Sequence, residues 1–246
     1  MSAPSADEPL AGIRLDQLST HVATLEDAQR FVFRYGAAIR GYLNAILRDP
    51  SAAEEVMQEL ILALLRRGGA DTWPGKGRFR DYLKTAARNA AITYLRKKGR
   101  QPVAAELDAH ADPNSGDAAA ERAMTSEWQA CVLARVWREL ESHERRSPGN
   151  LFYTALQIVT EFQDADSTRH AQTASARTKR PITPEAFRKQ VSRARLKMAE
   201  LILLEVAGSI AAPTADDVEG ELRELGLWGY VADYLPDDWR KKYFGR

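Results

Sequence analysis

The residue types that most often carry out catalysis or bind metals are scarce in this chain. Its 246 residues include one cysteine, Cys131, and four histidines, which are His21, His110, His143 and His170. No two of these histidines have the spacing of a metal-ligand pair, and one cysteine cannot form an internal disulfide or a multi-cysteine zinc site. The sequence contains no phosphate-loop motif and no nucleophile-elbow motif. We therefore expect a protein that is not an enzyme and that has no metal and no cofactor.

Lysine and arginine, which can bind phosphate groups, are concentrated in two blocks, although the net charge is only +1. Residues 76–100 contain nine basic side chains and one acid, residues 186–197 contain five basic side chains and no acid, and residues 104–127 between them are acidic. Cationic side chains contact nucleic-acid phosphates, while amides, hydroxyls and aromatic rings contact bases or stack on them. The two blocks therefore indicate two basic elements that bind DNA.

Apolar residues recur at steps of three and four along most of the chain, which is typical of amphipathic helices. Strand-like alternation of useful length and repeats of fixed period are missing from the sequence. The predicted helices cover residues 25–47, 51–67, 79–98, 120–145, 151–162, 167–177 and 184–206, and helical periodicity returns over 219–246. The predicted fold class is all-α, with two helical domains, an acidic linker between them and a C-terminal helical extension.

Composition divides the chain into five parts. Residues 1–24 are predicted to be a flexible tail, 25–100 the first domain, 101–124 the linker, 125–207 the second domain and 208–246 the C-terminal extension. The linker is assigned from its prolines, its glycine and its few large apolar residues.

Two helix starts carry capping signals. Ser51 followed by Glu54 matches a capping box, after Pro50 has ended the preceding helix. Thr183 followed by Pro184 matches an N-cap with proline in the first turn.

The helix predicted at 79–98 combines cations with polar and aromatic side chains. Its candidate nucleic-acid contacts are Arg80, Lys84, Arg88, Asn89, Tyr94, Arg96 and Lys97. The alternative is a solvated basic face with a favourable cationic C-terminus, although the helix dipole accounts for one or two cations and not for the whole block.

The helix predicted at 184–206 has an apolar stripe on one side and cations on the other. The stripe consists of Phe187, Val191, Ala194, Met198, Leu201 and Glu205. The opposite side carries Arg188, Lys189, Ser192 and Arg193. With the segment 167–177 before it, this helix fits a helix-turn-helix whose second helix enters the major groove. The turn is longer than the compact type, and an ordinary amphipathic helix with exposed cations is the alternative.

Taken in order, three segments resemble the promoter-melting domain, region 2, of bacterial extracytoplasmic-function sigma factors of the sigma-70 class. They are AEEVMQEL at 53–60, GRFRDYL at 77–83 and ARNAAITYLRKK at 87–98. The segment ITPEAFRKQVSRAR at 182–195 resembles the recognition helix of the second domain, region 4, of these proteins. The resemblance covers about residues 25–100 and 125–206.

The resemblance implies a role for each candidate surface. Glu55, Gln58 and Glu59 would dock on the clamp of RNA polymerase, although a plain acidic helix N-terminus is the alternative for them. The candidates on the helix at 79–98 would face the minus-10 promoter element. The residues implied to read the minus-35 element are Thr183, Arg188, Lys189, Ser192 and Arg193. The acidic linker, residues 104–117, would run through the polymerase.

Core RNA polymerase and promoter DNA are the implied partners, and an anti-sigma factor or another regulator is a further candidate. No apolar run approaches the ~20 residues that cross a bilayer, so we expect no membrane insertion and a cytoplasmic protein. The alternative function is a helix-turn-helix transcriptional regulator that is not a polymerase subunit. The chain after Ala211 is not part of the minimal family, and it could pack on the domains, restrain them or bind a regulator.

Overall fold

Helices form nearly all of the structure, a computed structural model that describes residues 25–66, 77–100, 102–105, 118–147 and 149–245. The α-helices are α1 (Leu25–Leu47), α2 (Pro50–Arg66), α3 (Phe79–Lys97), α4 (Ala118–Arg146), α5 (Phe152–Glu161), α6 (Ser167–Thr178), α7 (Pro184–Ala207), α8 (Ala215–Glu224) and α9 (Trp239–Phe244). Short 3-10 turns lie between α8 and α9. The predicted all-α fold is confirmed, and these described residues contain no strand beyond one isolated bridge.

Three predictions fall wholly or mostly outside the described residues. They are the flexible tail at 1–24, the end of the second helix at 67 and the acidic run at 106–117 of the linker. The division of the chain into domains stays a prediction.

The start of α2 differs from the predicted one. The side chain of Asp49 accepts hydrogen bonds from the backbone N–H groups of Ser51 at 3.0 Å and Ala52 at 3.1 Å, so Asp49 caps the helix. Ser51 as N-cap is therefore wrong, and Glu54 pairs with Arg40 at 3.3 Å instead of closing a capping box. The physical reason is that Pro50 lacks an N–H and suits the first helical position, which moves the cap one residue upstream.

Helices α1, α2 and α3 form a three-helix core on which the long helix α4 packs. Side chains such as Ile39, Leu43 and Leu83 are fully buried there. Tyr35 of α1 stacks on Trp128 of α4 with ring centroids 4.6 Å apart. Since α4 lies along α1, its apolar positions share one hydrophobic cluster with α1–α3.

Helices α5, α6 and α7 pack together around a small core of their own. That core consists of Ala155, Ile158, Ala171, Ala174, Phe187 and Val191. Asp166 caps α6 through the backbone N–H of Arg169, and Thr183 caps α7 through that of Ala186 at 3.1 Å. The predicted cap at Thr183 is confirmed, and Lys179 at φ 56° ends α6 in the left-handed region.

The apolar stripe predicted on α7 packs inward, with Met198 only half-buried. The last two turns of α7, residues 201–207, are instead buried on every side. The cause is that α4 packs on one side of them, while the described part of the C-terminal extension (residues 208–246) folds back over another. The extension also contains less helix than its periodicity predicts, since Gly226 adopts φ 65° directly after α8.

Candidate nucleic-acid interface

The first turn of α3 faces the interior of the protein. Arg80 is 6% exposed and donates from Nε and Nη2 to the two carboxylate oxygens of Glu221 at 2.9 and 3.1 Å. Its Nη2 also donates to Glu224 at 2.6 Å. Burial lowers the pKa of Arg80, but the hydrogen bonds and charge of Glu221 outweigh it and raise the pKa above that of an ordinary arginine. Arg80 is thus a charged group enclosed by the extension.

One turn further along α3, Lys84 is also engaged within the chain. Its Nζ lies 2.9 Å from a carboxylate oxygen of Glu121 on α4. Arg88, on the same side of the helix, is half-buried. Two of the three cations predicted to form one DNA-binding face, Arg80 and Lys84, therefore lie towards the extension and α4.

The C-terminal half of α3 presents a different and open face. Asn89, Arg96 and Lys97 are exposed there, whereas Tyr94 is 8% exposed and belongs to the core. Lys98 lies over the Tyr94 ring, with Nζ 5.3 Å from the centroid. The structure thus separates the predicted minus-10 set into an enclosed group and an open group.

The acids predicted to dock on polymerase lie beside this open end of α3. Glu55, Gln58 and Glu59 are all exposed on α2. Glu59 lies 3.5 Å from Lys97, and Glu55 lies 3.8 Å from Lys98. Exposed ion pairs of this kind contribute about 0–1 kcal/mol to stability. Each side chain can therefore leave its partner and pair with a charged group of another molecule at little cost.

The second basic surface lies on the first half of α7. Thr183, Arg188, Lys189, Ser192 and Arg193 are all exposed. Arg188 donates to the Ser167 hydroxyl at 3.1 Å, and Lys189 pairs with Glu185 one turn earlier at 2.8 Å. Arg188, Lys189, Ser192 and Arg193 lie on the side of α7 away from its apolar stripe, and Thr183 caps the start of the helix.

A cavity of about 710 Å³ lies between α7 and the extension. Arg193, Lys197, Tyr234 and Tyr243 are among its lining residues. The Tyr243 hydroxyl donates to Glu200 at 2.9 Å, and burial together with this acceptor raises the pKa of Tyr243. One of the predicted minus-35 residues, Arg193, is thus at the border of the extension.

Sequence reasoning missed Arg78, Glu221 and Glu224, which join α3 to the extension. Arg78 lies 3.1 Å from Glu221 and 2.5 Å from Glu224. The acid-rich composition of the chain after residue 214 was the available signal. Composition alone does not predict which residues those acids pair with.

None of the His, Cys, Asp and Glu side chains placed in the structure form a group of three or more that could hold a metal. Among helices α1–α9, none has both the length and the apolar character that spanning a membrane requires.

Residues 31–101 match the family model of Sigma-70 region 2. The match includes most of α1 and all of α2 and α3, and so both the docking acids and the open end of α3. Neither a search of curated proteins nor one of solved structures found a match for this chain. Sigma-70 region 2 belongs to initiation factors that bind core RNA polymerase and promoter DNA and are not enzymes. The match covers 71 of the 246 residues, and over residues 31–101 the chain is similar to the sigma-70 class of sigma factors.

Proposed function

We propose that the protein is an extracytoplasmic-function type sigma factor that binds core RNA polymerase and directs it to promoters with particular minus-10 and minus-35 elements. The region 2 match, which covers the exposed acids of α2 and the exposed cations of α3, is the observation that carries this proposal. The protein acts in the cytoplasm, where it meets its polymerase, and it performs no chemistry of its own.

The polymerase contact is assigned to Glu55, Gln58 and Glu59. These side chains are exposed, and their partners on α3 are exposed cations. A basic or polar groove on the polymerase clamp can replace those partners, because a surface pair is weak and is screened by salt.

The minus-10 contact is assigned to the open end of α3. Asn89, Arg96 and Lys97 are exposed, so cations for phosphates and an amide for a base edge lie on one helix end. Arg88 and Tyr94 are placed at the margin of this surface, since they are half-buried and buried.

The minus-35 contact is assigned to α7. Arg188 and Lys189 lie in its second turn, and Ser192 and Arg193 follow one turn later, which suits the N-terminal half of a recognition helix in the major groove. The helix-turn-helix core of α5–α7 supports this role because it fixes α7 against α6.

A helix-turn-helix regulator that is not a polymerase subunit is the second candidate, and the geometry of α5–α7 is the observation that favours it. Such a regulator has its own operator affinity and needs no acids on α2. The two candidates therefore differ in whether α2 contributes to function.

Polymerase binding tests the proposal. The full chain is incubated with core RNA polymerase, and the complex is captured and quantified. Wild-type protein is expected to be retained, while the variant Glu55→Gln with Glu59→Gln is expected to bind at least tenfold more weakly. A matched control neutralises two exposed acids elsewhere, Glu139→Gln with Asp164→Asn, and should bind like wild type. Absence of retention for the wild-type chain contradicts the proposal.

A further inference from the structure

The C-terminal extension contacts α3 through the backbone. The N–H of Phe79 donates to the carbonyl of Ser209 at 2.9 Å, and the N–H of Ala211 donates to the carbonyl of Gly77 at 3.1 Å. Between these two bonds, Arg78 and Ile210 form an antiparallel bridge. The extension is therefore tied to the start of α3 by strand-like pairing.

A buried charge cluster reinforces this backbone contact. Glu221 of α8 is 1% exposed and accepts hydrogen bonds from Arg80, while Arg78 lies 3.1 Å from it. Removal of one partner would leave the other charge enclosed and unpaired, which is strongly unfavourable. The cluster thus favours either complete docking of α8 or complete release.

The other side of the extension is attached to α7. Tyr243 donates to Glu200, and the guanidinium of Arg195 lies 5.9 Å from the centre of the Tyr234 ring. Leu227, Val231 and Trp239 are buried and share the hydrophobic cluster that contains the end of α7. One extension of fewer than forty residues therefore joins the minus-10 helix to the minus-35 helix. Arg135 of α4 and Glu205 of α7, 3.0 Å apart, add to this closed arrangement.

The closed arrangement is too small to span a promoter. Elements centred near minus 10 and minus 35 are about 25 base pairs apart, or about 85 Å at ~3.4 Å per base pair. A packed chain of roughly 200 residues has a radius of gyration of about 16 Å and a diameter of about 43 Å. Arg96 on α3 and Arg188 on α7 therefore cannot reach both elements while one continuous core joins their helices.

We propose that the C-terminal extension is an intramolecular latch, which must release the start of α3 before the chain can engage both promoter elements. This inference rests on the proposed function. The latch consists of the Arg78–Ile210 bridge and the cluster of Arg78 and Arg80 with Glu221 and Glu224. Its release exposes Arg80 and, once α7 has also separated from α4, lets α3 and α7 move apart.

A reversible cross-link tests whether opening is required. Residues 78 and 210 form a non-hydrogen-bonded antiparallel pair, because the backbone hydrogen bonds are made by their neighbours. The Cα atoms of such a pair lie about 4.5 Å apart, which is within the range that a disulfide can bridge. The variant Arg78→Cys with Ile210→Cys is made in a Cys131→Ser background. The variant is assayed by run-off transcription with core polymerase twice, once with its disulfide oxidised and once after the disulfide is reduced. We expect at least tenfold less transcript from the oxidised form and recovery on reduction, and equal activity of the two forms would overturn the proposal.

A second measurement reads the latch without polymerase and so separates its failure from failure of the proposed function. Spin labels are placed at Thr85→Cys and Gln172→Cys, two exposed positions on α3 and α6, with Cys131→Ser. The closed chain should give one narrow distance distribution. Glu221→Lys, which places a cation beside Arg78 and Arg80, should shift the distribution to longer and broader distances.

The matched control for that measurement is Glu141→Lys, which disrupts an exposed pair with Arg145 on α4 and should leave the distribution narrow. Circular dichroism checks that both variants keep their helix content. A narrow, unshifted distribution for a folded Glu221→Lys variant would show that the extension does not hold the two helices together, whatever the transcription assay gives.

Discussion

The aromatic rings of Tyr35 and Trp128 stack with centroids 4.6 Å apart and an interplanar angle of 20°. Trp128 is 1% exposed, so its ring is fully buried between α4 and the three-helix core. Truncating Trp128 to alanine should lower the free energy of unfolding by about 3–5 kcal/mol, because a large cavity is left behind. Urea denaturation followed by circular dichroism measures the change. Leu62→Ala, at a half-exposed position, is the control, and a loss under about 1 kcal/mol for Trp128→Ala would contradict this packing.

The exposed cations of α7 should determine part of the salt dependence of promoter binding. Replacement of both Arg188 and Lys189 by alanine removes two candidate phosphate or base contacts. The negative slope of log K against log salt concentration should therefore become shallower by about 0.9 for each phosphate contact that is removed. The measurement is holoenzyme binding to a promoter fragment at several salt concentrations, with Arg145→Ala on α4 as control. An unchanged slope would mean that this face of α7 is only solvated.

The contact of α8 with α3 should weaken in acid. Burial raises the pKa of Glu224, but its hydrogen bonds with Arg78 and Arg80 outweigh burial, so the pKa lies below the ordinary 4.5. A carboxylate with a lowered pKa stabilises the folded state above the unfolded pKa, and that stability is lost as pH falls through the folded pKa.

Urea denaturation at a series of pH values tests this expectation. Wild type should be more stable than Glu224→Gln at neutral pH, and the difference should shrink below pH 4.5 as the carboxyl is protonated. Glu219 and Asp216 on the same helix keep their own pairs with Arg240 in both proteins, so they cancel in the comparison. A difference that is constant from neutral to acid pH would contradict the assigned pKa direction.

Cys131 should react slowly with alkylating reagents. Burial raises the pKa of its thiol above the ordinary 9.0, and the charge of Glu127 raises it further. Because the thiolate is the reactive form, alkylation by iodoacetamide at pH 7.5 should be slower in the folded protein than in urea. Equal rates in the two states would contradict the partly buried position of this side chain.

The sequence was informative where a local pattern decides the structure. The periodicity of α3 and α7 predicted both helices to within one residue of their observed ends. The stripe from Phe187 to Glu205 was likewise readable, because a period of 3.6 assigns each side chain to a face. The cap of α2 was missed, since two candidate residues, Asp49 and Ser51, flank the same proline.

The sequence was less informative where the partner lies far along the chain. Arg80 and Lys84 share the basic composition of the exposed Arg96 and Lys97, and composition cannot tell an enclosed cation from an open one. The partner of Arg80 is Glu221, 141 residues away, and no local pattern links two residues at that separation. The burial of α7 on every side near its end likewise follows from long-range packing, by both α4 and the extension.

Promoter-directed transcription tests the central claim most directly. Core RNA polymerase is combined with the full chain and with fragments of the genome that encodes it, and run-off transcripts are mapped. We predict start sites that core enzyme alone does not use, preceded by shared minus-10 and minus-35 sequences. Transcripts identical to those of core enzyme alone would contradict the assignment of this chain as a promoter-specific sigma factor.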